Sequence, residues 1–127
     1  MEKTVVRTDA APAPFQGAPY NQAIVVGDLV FVAGQLGVKP GDTYVEGDIT
    51  QQTEQVMRNL SAILEAAGSS LDRLVKTTVY LQDLDDFSAM NEVYARHVGE
   101  TPPARATVEV AKLPAGGRVE IEAVAHV

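Results

Sequence analysis

The chain has no cysteine among its 127 residues, which excludes a disulfide frame, a thiol nucleophile and every thiolate-based metal site. Histidine is nearly absent too, with only His97 and His126. Two histidines so far apart make no recognisable metal site, and neither a metal nor an organic cofactor is expected. His97, near the end of a helical stretch, suits a favourable contact with the helix dipole. Basic residues are scarce: ten Lys and Arg stand against seventeen Asp and Glu, for a net charge of −7. A phosphate backbone is bound by clustered cations, whereas these are scattered, so a nucleic-acid partner is not expected. No apolar run approaches the length of a membrane span, and the opening Met-Glu-Lys-Thr-Val-Val-Arg lacks the apolar core of a secretion signal. The expectation is a cytoplasmic protein without a membrane role.

Two further motifs fall short of a site. Gly34-Gln35-Leu36-Gly37 carries glycines but not the spacing that cradles a phosphate. Asp83, Asp85 and Asp86 cluster like calcium ligands, but the glycine and later ligands of a calcium loop are missing. They suit the start of a helix better.

Apolar residues make up 46% of the sequence, enough for one core, and the length suits a single domain over residues 1–127. A short strand at Lys3–Arg7 precedes an Ala- and Pro-rich loop over Ala10–Pro19. Ala23–Val26 and Leu29–Ala33 flank Gly27-Asp28, the signature of a two-residue hairpin. After a connection over Lys39–Asp48, Val56, Leu60, Ile63, Leu64 and Ala67 recur at helical spacing, and Gly68 is placed to end that helix. Leu74–Leu81 reads as a strand. A second helix is expected over Phe87–Val98, with Phe87, Met90, Tyr94 and His97 on one stripe. The C-terminal stretch reads as a hairpin, Arg105–Ala111 and Arg118–Ala125 around Leu113-Pro114-Ala115-Gly116.

The order β-β-β-α-β-α-β-β predicts an α+β domain, two helices packed on one face of a mostly antiparallel sheet. The hairpin strands are continuously apolar, which predicts a sheet buried on both faces. Two helices cover only one of them. A second copy of the chain is the simplest cover for the other, so a homo-oligomer is expected.

In the expected terminal hairpin, matching the apolar faces puts Arg105, Thr107, Glu109, Glu120 and Glu122 on one side of the sheet. Such a face is either a solvated surface with weak ion pairs or an anion site. In the second case a guanidinium grips a carboxylate with two parallel bonds. The pattern alone leaves both open. Tyr80 and Tyr94 read as core or interface residues.

The stretch PPARATVEVAKLPAGGRVEIEAVA, residues 102–125, closely resembles the C-terminal signature of the RidA/YjgF family of imine deaminases. GAPYNQA, VFVAGQLG, NLSAILEAAGSSLDRLVKTTVYLQDLDDF and Asn91-Glu92-Val93-Tyr94 agree with it in order and spacing, so the resemblance spans nearly the whole chain. It implies a chorismate-mutase-like fold, a homotrimeric barrel, and active sites in clefts between subunits. It also implies hydrolysis of small 2-imino and 2-enamino acids to 2-keto acids and ammonia, without cofactor.

By this resemblance Arg105 holds the substrate carboxylate and Glu120 orients the attacking water; Tyr20 and Asn91 belong to the pocket, Tyr20 as a catalytic residue and Asn91, with Gly34, as a substrate-binding one. Thr107 stands where many members have cysteine, and Ala33 where many have serine; both positions line the family's pocket and bear on substrate choice. A binding module using the same cleft without turnover, and a ribonuclease or chaperone-like role, are the alternatives. The net charge and the lack of a histidine pair speak against the ribonuclease.

Overall fold

The computed structural model describes all residues, Met1–Val127. Six strands and two helices alternate as β1 (Thr4–Val6), β2 (Ala23–Val26), β3 (Leu29–Leu36), α1 (Ile49–Ala66), β4 (Leu74–Leu81), α2 (Phe87–His97), β5 (Ala104–Glu109) and β6 (Val119–His126). This is the expected α+β order, and both helices pack on one side of a single six-stranded sheet. No helix is long and apolar enough to cross a membrane.

Local chemistry accounts for the element ends. Gly27 adopts φ +57° in the tight turn that joins β2 to β3. At the start of α1 the Asp48 side chain accepts from the Gln51 N–H, and the Gln51 side chain accepts in return from the Asp48 N–H. At its end Gly68 takes φ +84°, and the Ser69 N–H reaches back to the Leu64 carbonyl at 2.8 Å. The aspartates before α2 do not cap it. Asp83 accepts from the Asp85 N–H in the preceding 3-10 turn, while Asp86 is drawn away to Arg118.

The helical stripe of α1 is fully buried, with Val56, Met57, Leu60, Ile63 and Leu64 at 0% exposure. It lies on Val30 and Val32 of β3, Val79 and Leu81 of β4, and Val119, Ile121, Ala123 and Ala125 of β6. Truncating one of these side chains to Ala typically costs about 2–5 kcal/mol, transfer and cavity terms together.

The strands are ordered β1-β2-β3-β6-β4-β5, all neighbours antiparallel except β4 and β5. The expected terminal hairpin therefore does not form. β6 enters between β3 and β4, and β5 lies beyond β4 at the sheet's edge. The reason is hydrophobic: Val119, Ile121, Ala123 and Ala125 give β6 a wholly buried face, so it takes the centre. β5 exposes Ala104, Ala106 and Val108 and is satisfied with one neighbour. It follows a helical crossover, as parallel pairing requires. The nine residues between the two strands (110–118) are long enough to pass around rather than turn back.

Between Val32 and Gln35 the pairing of β3 with β6 slips: three steps along β3 match two along β6, from Ala123 to Ile121. This bulge contains Ala33 and Gly34.

The face away from the helices is open in one chain. Its half nearest β1 is apolar, with Val5, Leu29 and Phe31 exposed beside half-buried Ile24, Val26 and Val124. Its other half carries the polar Glu120 and Glu122 of β6 and Thr78, Tyr80 and Lys76 of β4, with Ala104, Ala106 and Val108 of β5 at the edge.

Candidate active site in two half-sites

The residues singled out in the sequence fall into two groups. Because β5 pairs in parallel with β4, Arg105 aligns with Thr77 and Thr107 with Val79, both on the helix-covered face. Glu120 and Glu122 of β6 align instead with Tyr80 and Thr78, on the open face. Arg105 and Glu120 thus stand on opposite sides of the sheet in one chain, which overturns the single polar face expected from a hairpin. Glu109 goes with Arg105, and its carboxylate accepts from the Leu84 N–H.

The first half-site is built on α2 and β5. The Arg105 guanidinium lies over the Tyr94 ring at 4.9 Å and the Phe87 ring at 5.5 Å, within cation–π range of both. Phe87 and Tyr94 are seven residues apart, two turns of α2, so they share a face. None of the chain's ion pairs uses Arg105, so its fork meets no carboxylate of its own chain. Burial pushes the Tyr94 hydroxyl above its ordinary value, opposed by its hydrogen bond with Thr77 and by the Arg105 charge.

Asn91 lies between the two aromatics along α2, one turn from each. Its Oδ1 and the Oγ1 of Thr107 are the two buried side-chain polar atoms without a hydrogen-bond partner. A buried polar atom left unpaired costs about 1–3 kcal/mol, so both mark a place where a further polar group fits. The second half-site is built around Gly34, which has Ala33 beside it in the bulge, Glu120 against it on β6, and Tyr20 in the adjoining cavity. A Cβ on residue 34 would lie 2.6 Å from the Glu120 Oε2, so glycine makes room for that carboxylate. Gly34 and Tyr20 line a cavity of ≈ 240 Å³ with Phe15, Leu36 and Thr43. The Tyr20 hydroxyl is held there, accepting from the Phe15 N–H at 2.6 Å. Within the bulge, the Ala33 N–H donates to the Gln22 carbonyl. Burial raises the Glu120 carboxyl above its ordinary value, and the neighbouring Glu122 charge adds to the rise.

Sequence reasoning missed Phe87 and Tyr94 as the cradle of Arg105; the seven-residue spacing of two aromatics on a helix preceding an arginine strand was the available signal. His97 binds Glu54 of α1, away from both half-sites. No three His, Cys, Asp or Glu side chains gather to hold a metal.

The family model described as Endoribonuclease L-PSP matches residues 8–127. A RutC family protein of Pyrococcus abyssi is 51% identical over 99% of this chain and 98% of its own length. The 2-iminobutanoate/2-iminopropanoate deaminase of Capra hircus is 43% identical over 98% of this chain and 90% of its own. Among solved structures, E. coli TdcF with bound serine superposes with a TM-score of 0.91, at 37% identity and 98% coverage of both chains. The sequence match over nearly the whole chain and the shared α+β architecture together place the chain in the RidA/YjgF family.

Proposed function

We propose that this protein hydrolyses short 2-imino acids, and the 2-enamino acids that tautomerise to them, to 2-keto acids and ammonia. The observation that carries this reading is Arg105: a guanidinium lying over two aromatic rings, with no carboxylate of its own chain. A planar fork in that state suits a substrate carboxylate, which it meets with two parallel bonds. The unpaired Asn91 Oδ1 and Thr107 Oγ1 supply polar contacts beside it. The goat relative's name supports the reaction, and the serine bound to E. coli TdcF supports a small ligand that carries a carboxylate.

In this mechanism Arg105 fixes the carboxylate next to the C=N carbon. Glu120, whose proton affinity is raised, accepts a proton from water as the oxygen bonds to that carbon. The nitrogen takes up protons and leaves as ammonia, the C–N bond breaks, and C=O forms in its place. The uncatalysed reaction is already easy, so positioning is the protein's main contribution. Arg105 and Glu120 must meet across one substrate although one chain sets them on opposite faces. The site is therefore completed between copies, with the half-site of Arg105 from one and that of Glu120 from another, in a homotrimer. The uncovered apolar patch around Phe31 gives such an assembly its contact surface.

The test feeds a panel of amino acids to an amino-acid oxidase and follows keto-acid and ammonia release with and without the protein. Acceleration over spontaneous hydrolysis is expected, greatest for short side chains. Binding of 2-keto acids without any acceleration would instead establish a metabolite-binding module. Cleavage of RNA by protein free of contaminating nuclease would favour the ribonuclease reading.

A further inference from the structure

Beside Glu120 stands a pair the proposed mechanism does not use. The Tyr80 hydroxyl of β4 donates to Glu122 Oε1 at 2.7 Å. Glu120 and Glu122 are two residues apart on one strand, so they share the open face with Cα atoms about 6.6 Å apart. Tyr80 is the register partner of Glu120, and Thr78 that of Glu122, so the tyrosine reaches diagonally past Glu120 to its neighbour. Glu122 is exposed, and a free glutamate there would spend its time in solvent. The hydroxyl ties it to the sheet instead.

Resting on the deaminase reading, we propose that Glu122, held in place by the Tyr80 hydroxyl, is a positioning residue that raises the pH at which Glu120 takes up a proton. A fixed like charge disfavours ionisation of its neighbour, and the effect depends on how firmly that charge is held nearby. Within one chain no cation is placed to cancel it, and the Arg105 that a neighbouring copy brings to the site is engaged by the substrate carboxylate. Arg118, in the loop just before β6, is engaged elsewhere, its Nη2 bound to both Asp86 oxygens at 3.0 Å. On β4 the open face adds Lys76, which aligns with Val124, further from Glu120 than the register partner Tyr80. His126 lies at the far end of β6. β3 presents Gly34 and Leu36, and β5 presents Ala104, Ala106 and Val108, none of which titrates. The Pro12–Tyr20 segment contributes only the Tyr20 hydroxyl, which is bound to the Phe15 N–H. The same burial and charge that raise Glu120 agree with this picture, with Glu122 the one charged group that adds to desolvation.

The experiment labels glutamate side chains with ¹³C, assigns the Glu120 carboxyl signal by its loss in Glu120→Gln, and follows it against pH in the intact oligomer. Glu122→Gln should lower the Glu120 midpoint by about half to one pH unit, the size of a like-charge interaction at this spacing in high dielectric. Tyr80→Phe should lower it by less, since the charge remains but is no longer held. The acid limb of kcat should move to lower pH in the same order, which a merely structural role would not produce. A Glu120 midpoint unchanged in both variants, each folded by circular dichroism, would overturn the proposal. If Glu122→Gln does not fold, Tyr80→Phe alone decides it. Midpoints that move in a protein showing no turnover would sink the deaminase reading and leave the electrostatic link standing; turnover with unmoved midpoints would do the reverse.

Discussion

Gly34 and Glu120 are fitted to each other: a methyl group on residue 34 would stand 2.6 Å from Glu120 Oε2 and 3.0 Å from its carboxyl carbon. The conflict is with the free end of a side chain, which can move, rather than with backbone. Gly34→Ala should therefore fold with nearly unchanged melting temperature while displacing Glu120. We expect kcat to fall about tenfold or more, with KM much less affected, since misplacing a catalytic group by about 1 Å is costly. Steady-state kinetics and thermal melts on the same preparation check both halves. A stable variant with full kcat would remove Glu120 from the chemistry.

Arg105→Ala should abolish most turnover, and Arg105→Lys should not rescue it. Truncating one member of a desolvated charge pair typically costs about 2–5 kcal/mol, or roughly 30- to several-thousand-fold in rate. Lysine restores charge but neither the two parallel bonds nor the broad guanidinium that lies over Phe87 and Tyr94. The comparison uses kcat/KM after circular dichroism confirms the fold. Near wild-type rates in Arg105→Ala would end the carboxylate-clamp role.

Half-sites on different copies predict complementation. Arg105→Ala and Glu120→Gln should each be nearly inactive alone. After mixed refolding in equal amounts they should recover about a quarter of wild-type activity, because that fraction of interfaces pairs two intact halves. Light scattering should give a trimer mass; a clean monomer of 13.5 kDa at micromolar concentration would contradict the shared site.

Glu120→Gln should stabilise the fold at neutral pH. The Glu120 carboxyl titrates above its ordinary value in the folded chain, so its contribution is favourable below the unfolded carboxyl pKa and lost as pH rises through the folded value. Glutamine escapes that loss. Melting temperatures from about pH 4 to about pH 8 should show the two proteins converging at the acid end and the variant ahead at the neutral end. The opposite slope would mean that Glu120 finds a cation in the assembled protein.

Activity should survive dialysis against a chelator, since the proposed hydrolysis needs positioning rather than a Lewis acid. Loss of rate restored only by a divalent ion would contradict the mechanism.

The elements were legible because each carried a local signal: Gly27-Asp28 for the hairpin, the Val56 to Leu64 stripe for α1, Gly68 for its end. Pairing between β5 and β6 was not, because Leu113-Pro114-Ala115-Gly116 is a good local turn that happens to sit in a long crossing loop. Local signals do not reveal which strand has enough apolar surface for two neighbours. That misreading propagated to the site, putting Arg105 and Glu120 on one face when the sheet separates them. The resemblance supplied the right residues, but alternation could not say which copy each one serves. Tyr80 and Tyr94 read as core or interface positions, and Phe87 as one more residue of a helical stripe, because an aromatic's partners are set by packing rather than by spacing.

The bulge in β3 has a consequence for what the fold can lose. Removing one residue between Val32 and Gln35 would match two steps on β3 to the two steps on β6, leaving the pairings on either side unchanged. Val32 and Gln35 would keep their places on the helix side, and the core would not notice. The sacrifices are local: the bond from Ala33 N–H to the Gln22 carbonyl, the bond from Gln35 Nε2 to the Ala33 carbonyl, and the opening that Gly34 leaves for Glu120. The strand is thus one residue longer than its architecture demands. A shortened chain would be a well-formed scaffold with nothing to do, and the surplus residue is where scaffold and catalyst part company.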